Sequence, residues 1–300
     1  MRRLLIVGCG DIGQRLARAM HGRSRTYALS RSEQHHQMLR ELGVVPIVAD
    51  LDQPATLERL AGLAHDVIHL VPPPRSGSRD TRTMNLIRAL TKGGSIPQRL
   101  VYLSTSGVYG DCGGAVVSES RPPTPMSARA GRRVDAERLL RCWGAESGTH
   151  VMVLRVPGIY ASERLPVARL KAGTPALAAD HDPYTNHIHA DDLVRIVIAA
   201  LNRGKSGRAY NASDDSSMKM GDYFDLVADR FGLPHPPRVS WESAQQHIPE
   251  SMLSFMRESR RLANGRLKKE LRVRLRYPSV REGVAAVQSC QAMSVAVCPQ

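Results

Sequence analysis

Apolar positions in the first 160 residues fall into short runs separated by stretches with helical spacing. The runs Leu4–Val7, Thr26–Leu29, Val44–Val48, Asp66–Val71, Arg99–Ser104 and Val151–Arg155 read as buried strands. Between them Gln14–Met20, Ser32–Leu42, Thr56–Leu63, Asp80–Leu90 and Arg132–Trp143 read as helices. Strand and helix in alternation predict a doubly wound parallel sheet covered by helices on both faces, an α/β architecture. In such a sheet ligands bind outside the carboxyl ends of the strands. Beyond Pro157 the pattern loosens, punctuated by Pro166, Pro175, Pro183, Pro234, Pro236 and Pro237. The expected organisation is therefore a first domain over 1–160 and a small C-terminal α/β lobe over 161–288. That lobe is expected to return some elements to the sheet. Residues 289–300 carry no pattern and read as a frayed tail. No internal repeat is present.

The first run stops on Gly8, Gly10 and Gly13, spaced G-x-G-x-x-G between a strand and a helix. Gly8 permits the tight turn, Gly10 lets a pyrophosphate approach the backbone, and Gly13 lets helix and strand pack closely. Asp11 and Ile12 lie in the first helical turn, whose unpaired N–H groups and partial positive charge suit phosphates. This is a Rossmann-type dinucleotide loop. The second strand runs into Ser30-Arg31-Ser32, with no acid before Glu33. A carboxylate there would accept from the adenosine ribose hydroxyls of NAD, whereas an Arg and two hydroxyls suit a 2′-phosphate. NADP is therefore expected in preference to NAD.

Composition bounds the rest. Hydrophobic residues make up 42% of the 300, enough for a sizeable core. The apolar run after Arg2-Arg3 ends at Gly8, too short for a secretory leader. The longest apolar stretch, Leu193–Leu201, is short and contains Arg195, so no membrane span is expected. Five cysteines, odd in number and without C-x-x-C spacing, fit reduced thiols in a cytoplasm and argue against disulfides or zinc. The net charge of +14 invites a nucleic-acid reading. However, 36 of the 42 basic residues are Arg spread along the chain, with three Phe and two Trp for stacking, so nucleic acid is not the expected partner. Only Arg257–Arg281 is dense, with eight Arg and two Lys against Glu258 and Glu270. It reads as a solvated helix face, with a surface for a phosphate-bearing substrate as the alternative.

Several segments carry a family resemblance. Leu103-Ser-Thr-Ser-Gly-Val-Tyr-Gly110 resembles the S-S/T-x-x-V-Y-G stretch of extended short-chain dehydrogenases/reductases, the NAD-dependent epimerase/dehydratase family. Leu154-Arg-Val-Pro-Gly-Ile-Tyr160 is similar to its L-R-x-x-x-x-Y-G-P segment. Asn186-His-Ile-His-Ala-Asp-Asp-Leu193 is similar to N-x-I-H-V-D-D-L, and Ala209-Tyr-Asn-Ala-Ser-Asp214 to Y-N-V-S-D. The likeness runs from about Arg3 to Val284. It implies that Asp50 and Leu51 belong to the adenine-contacting loop. Val71 and Pro72, at the end of the fourth strand, are also expected to face the cofactor.

The reactive pair departs from the pattern. The family's Y-x-x-x-K is followed four residues later by Glu; with Glu137 as that Glu, Arg133 takes the lysine position and Arg129 the tyrosine position. Hydride transfer at a carbinol carbon is matched by proton transfer at oxygen, which tyrosine performs when neighbouring cations favour phenolate. Arginine cannot, because its guanidinium stays protonated. The pattern resembles an atypical branch that keeps the glycine loop and lacks the tyrosine.

Thr105 falls where the resemblance implies a hydroxyl bonded to the substrate carbonyl, with Ser106 as the fallback. As a strand-end residue Thr105 could equally bond backbone. Arg133 could donate to the nicotinamide ribose, and Arg129 would face the substrate. Tyr160, Tyr184 and His187 are the other candidates for proton transfer. His187 and His189 suggest a metal pair, but no third ligand is suitably spaced, and no metal is expected. The implied function is an epimerase/dehydratase-like oxidoreductase acting on a hydroxyl or keto group of a small substrate, nucleotide-linked ones included. The alternative is a non-catalytic NADP(H)-binding sensor or partner-docking protein. A homodimer is compatible with either.

Overall fold

A computed structural model describes residues 1–287. The 289–300 tail, with Cys290 and Cys298, lies outside the described residues. The scaffold is one seven-stranded parallel sheet. Its strands are β1 (Arg3–Val7), β2 (Arg25–Ser30), β3 (Val44–Val48), β4 (Asp66–His69), β5 (Arg99–Thr105), β6 (His150–Val156) and β7 (Ala209–Asn211). They lie in the order β7-β6-β5-β4-β1-β2-β3. The direction of winding reverses at β1, which pairs with β2 on one side and β4 on the other. The crevice outside these carboxyl ends is the topological switch point, where open α/β sheets take ligands.

Both faces of the sheet are covered, which explains why the strands read as unbroken apolar runs. Leu4 and Ile6 of β1 pack into a layer with Leu16 and Ala17 of helix α1 (Asp11–Met20) and with the helix Ala190–Arg203. Leu5 and Val7 point the other way, toward Leu86 of α3 (Thr81–Thr91) and Leu140 and Trp143 of α4 (Ala128–Ser147). A third cluster, including Leu170, Tyr223, Phe224, Ile248 and Val284, forms the core of the C-terminal lobe. β7 follows residue 160 in the chain and closes the sheet edge beside β6.

Several elements differ from their expected bounds. The helix expected over Thr56–Leu63 is a 3-10 helix, Pro54–Leu60. The Thr56 hydroxyl bonds back to Gln53 O at 2.7 Å, competing with regular helical bonding. Ser32–Leu42 splits into a 3-10 turn, Glu33–His35, capped by Ser32, and a short helix, His36–Glu41. α4 is longer than expected. Ser127 caps it by accepting from Ala130 N, and Gly148 ends it at φ 75°. Arg257–Arg281 is not a single helix face. It contains a strand, Arg261–Leu262, paired with Val116–Val117, then a helix, Gly265–Leu271, then irregular chain. Its cations disperse accordingly, Arg257 to Glu250, Arg260 to Glu258 and Lys268 to Asp215. Among the described residues no helix is long and apolar enough to cross a membrane.

Candidate functional site

The strand ends open onto a cleft of about 1040 Å³. Its near wall is the glycine loop. Gly8 adopts φ +98°, and a Cβ there would lie 2.7 Å from Val71 Cγ2. A Cβ on Gly13 would lie 2.7 Å from Gly8 O, so helix and loop could not close. A Cβ on Gly10 would meet no protein atom within 4 Å, which leaves bare backbone beside open space at the N-cap of α1. These features fit a dinucleotide diphosphate. Asp11 is held by Arg15 at 2.8 Å and Arg164 at 3.0 Å, which offsets its charge beside this phosphate position. Burial pushes the Cys9 thiol up to about 11, so it stays a protonated, inert side chain.

At the end of β2, Ser30 donates to Ser32 O at 2.8 Å, shaping the turn that leaves Arg31 exposed. Both serines and Arg31 line the cleft, and His35 joins them. Past β3, Asp50 accepts from Asp52 N at 2.9 Å, and Asn85 donates to Leu51 O at 2.8 Å, fixing this loop. Arg82 ties Asp52 (2.9 Å) to Pro72 O (3.1 Å) and holds the Asp52 carboxyl below the usual carboxylate range. Val71 and Pro72 complete that wall.

The far end of the cleft holds Ser104, Thr105 and Arg133. Ser104 is not free for chemistry, because it donates to Glu137 at 2.7 Å, and Glu137 also accepts from Arg155 at 2.8 Å. This buried knot joins β5, α4 and β6 and explains why those motif segments meet. Thr105 is half-buried and lines the cleft. Its oxygen accepts from Gly107 N at 3.2 Å, which leaves the hydroxyl proton available to donate outward. Arg133 also lines the cleft, giving Nη1 to Leu103 O at 2.7 Å and to the Tyr102 hydroxyl at 3.0 Å. Beneath it, His69 bonds Thr83 at 3.0 Å, and burial, with Arg133 adding to it, depresses its pKa to about 3. The ring is neutral.

Ser106 is buried and does not line this cleft. Arg129 also lies outside its wall, exposed, with its guanidinium 4.2 Å from the centre of the Phe255 ring. The alternative proton carriers lie in the C-terminal lobe and are absent from the cleft lining. Tyr160 is buried, donates to Ser279 O at 3.3 Å, and burial raises its pKa well above the tyrosine range. His187 is buried and neutral, its pKa pushed down to about 3 by desolvation. Tyr184 sits between Lys219 and Arg261, 5.1 and 4.8 Å from the ring centre. No group of three His, Cys, Asp or Glu suited to a metal occurs among the described residues. Sequence reasoning missed His35, Arg82 and Arg164, which reach the cleft from turn, helix and lobe. It also missed Val156 and Pro157, which the strand-end rule applied to β6 would have found.

The model of the NAD-dependent epimerase/dehydratase family matches residues 4–213. The chain belongs to this family. It is 26% identical over 309 residues to a 3-diazoavenalumate denitrifying reductase of a Streptomyces species, covering 94% of this chain and 99% of that protein. Among solved structures it is similar to a functionally unknown conserved protein from Silicibacter pomeroyi, with TM-score 0.82 and 29% identity over 97% of this chain and 99% of that one. It shares the fold of UDP-glucuronic acid 4-epimerase from Bacillus cereus, a complex with NAD, with TM-score 0.76 and 17% identity over 95% of each chain. The family is NAD-dependent, and its glycine loop is intact here.

Proposed function

We propose that this protein is an NADP(H)-dependent reductase that delivers hydride to a small substrate without taking a proton from a tyrosine. The observation that carries this reading is the state of the reactive pair. The family resemblance puts Arg129 and Arg133 at its two positions, and the carboxylates and imidazole lining the cleft, Asp11, Asp50 and His35, lie at the glycine loop, past β3 and past β2. A keto group reduced here would become an alkoxide with no side chain to protonate it, a loss of about 10²–10⁴ in rate. An acceptor that loses a leaving group carries no such requirement. Replacement of a diazonium by hydride forms a C–H bond, breaks the C–N bond, and sends its electron pair away with N₂ while NADPH becomes NADP⁺. The relative named as a denitrifying reductase of a diazo compound supports this acceptor class. The preference for NADP rests on Arg31, Ser30 and Ser32 and on the absence of an acid beside them.

A second reading keeps the hydroxyl/keto chemistry of the family, nucleotide-linked sugars included. The Thr105 hydroxyl favours it, since it can donate to a carbonyl oxygen. The test is incubation with NADPH deuterated at C4 and a panel of aryl diazonium salts, simple ketones and nucleotide sugars. Deuterium entering the arene faster than in protein-free controls, with ketones and sugars inert, is the expected result. Rapid labelling of a carbinol would establish the second reading instead.

A further inference from the structure

The first turns of α4 gather positive charge, offset in part at Arg133 by the nearby Asp80 carboxyl. Arg129, Arg132 and Arg133 occupy these turns, and no acid accompanies them in the first. The helix dipole adds partial positive charge at the same end. Arg132 is buried, donating to the carbonyls of Gly77 and Arg75 at 2.7 and 3.0 Å, and its Nε has no partner. Arg133 is satisfied by a carbonyl and a phenol, both neutral. Arg129 has no hydrogen bond or ion pair among the described residues, and it contacts the Phe255 ring. Like charges one turn apart on a helix repel.

The acids near Phe255 do not pair with Arg129. Glu250 and Glu258 flank Phe255, but Glu250 is taken by Arg257 at 2.7 Å and Glu258 by Arg260 at 2.8 Å. Glu258 nevertheless belongs to this space. Its Oε2 is 3.8 Å from the Cβ position of Gly107, and Thr105 Oγ1 is 3.6 Å from that same point. The segment carrying Phe255 and Glu258 therefore packs beside the Thr105 turn. Arg129, one turn before the cleft-lining Arg133 on the same face of α4, meets that segment at Phe255.

We infer that Arg129 receives an oxyanion of the substrate, so that the site is built for an acidic small molecule. This rests on the reading of the cleft as an NADP(H) site, because it identifies which end of the cleft takes substrate. The guanidinium carbon lies 4.2 Å from the Phe255 ring centre and its N–H groups are unpaired among the described residues, so the fork can meet a carboxylate or phosphate in two parallel bonds. Contact with the Phe255 ring restrains the side chain in advance, so less side-chain freedom is lost on binding. An aromatic acid and a nucleoside diphosphate offer the same chemistry from two sources.

The test is calorimetric titration of the full chain with cinnamate, cinnamamide and UDP, each with and without saturating NADP⁺. Cinnamate binding at least tenfold more tightly than cinnamamide, and at least tenfold more weakly to Arg129→Gln, supports a carboxylate. The same dependence on Arg129 with UDP alone assigns the anion to a phosphate. Arg129→Lys, which keeps the charge but not the fork, should fall between wild type and Arg129→Gln. Because Arg129 is exposed, unchanged thermal melts are expected for both variants. Equal affinity of wild type and Arg129→Gln for every anion, or no anion binding in either state, overturns the inference. Failure of NADP⁺ itself to bind would overturn the cofactor reading, while the titrations without cofactor still decide the role of Arg129.

Discussion

Arg133 rests against the phenol of Tyr102, its Nη1 3.0 Å from the hydroxyl and its guanidinium carbon 5.6 Å from the ring centre. The contact fixes the long side chain at the wall of the cleft. Arg133→Ala should therefore weaken NADPH binding by about 1–3 kcal/mol, the worth of a charged hydrogen bond. Arg129→Ala should leave cofactor affinity almost unchanged. Isothermal titration of both variants checks this. The opposite pattern would mean that the register assigned through α4 is displaced.

Arg31 is the second test of the cofactor. NADPH is expected to bind more tightly than NADH by about 1–3 kcal/mol, and Arg31→Ala should remove most of that difference. Equal affinities in the wild type would contradict the assignment, as would a preference that survives the substitution.

The Ser104–Glu137–Arg155 knot predicts a stability effect separate from cofactor binding. Glu137 and Arg155 are both almost fully buried. Glu137→Ala would strand the Arg155 charge, at a cost of about 3–5 kcal/mol. Urea denaturation should show this loss, and adding Arg155→Met should restore part of it. An unchanged midpoint for Glu137→Ala would show that the knot is not what holds β5, α4 and β6 together.

Stability should also depend on pH with a sign set by three buried groups. His69 and His187 are depressed to about 3, so the unfolded chain binds their protons first. The stability they contribute is present above their ordinary pKa and lost as pH falls from there toward 3. Asp214 behaves in the opposite way. Burial raises its carboxyl to about 7, so its contribution is present at low pH and lost as pH rises toward 7. Its Oδ1 accepts from Ser216 N, which an asparagine can keep, and its Oδ2 has no partner. Asp214→Asn should therefore gain on the order of 1–4 kcal/mol relative to wild type between pH 5 and pH 8. Denaturation midpoints that shift equally at both pH values would contradict this.

Much of this was legible in the chain because its causes are local. Gly8, Gly10 and Gly13 announce the loop, since the turn and close packing there exclude a side chain. The strand cores appear as apolar runs because both faces of the sheet are buried. The bounds around Thr56 were not legible, because a hydroxyl bonding back to its own turn leaves no trace in apolar spacing. The dispersal of Arg257–Arg281 was hidden as well. It depends on pairing with Val116–Val117, more than a hundred residues away in sequence. Arg82 and Arg164 reach the cleft only through tertiary packing. Arg129 could be singled out from the motif spacing, but its contact with Phe255 could not.

The central claim is that hydride transfer here proceeds without a proton from the protein. The direct measurement is the solvent deuterium isotope effect on single-turnover reduction, followed from pH 6 to 9 with the substrate that the deuterated NADPH panel selects. A rate independent of pH with an isotope effect near unity is the predicted result. A bell-shaped profile with a clear isotope effect would contradict it and would require an acid that Arg129 and Arg133 cannot supply.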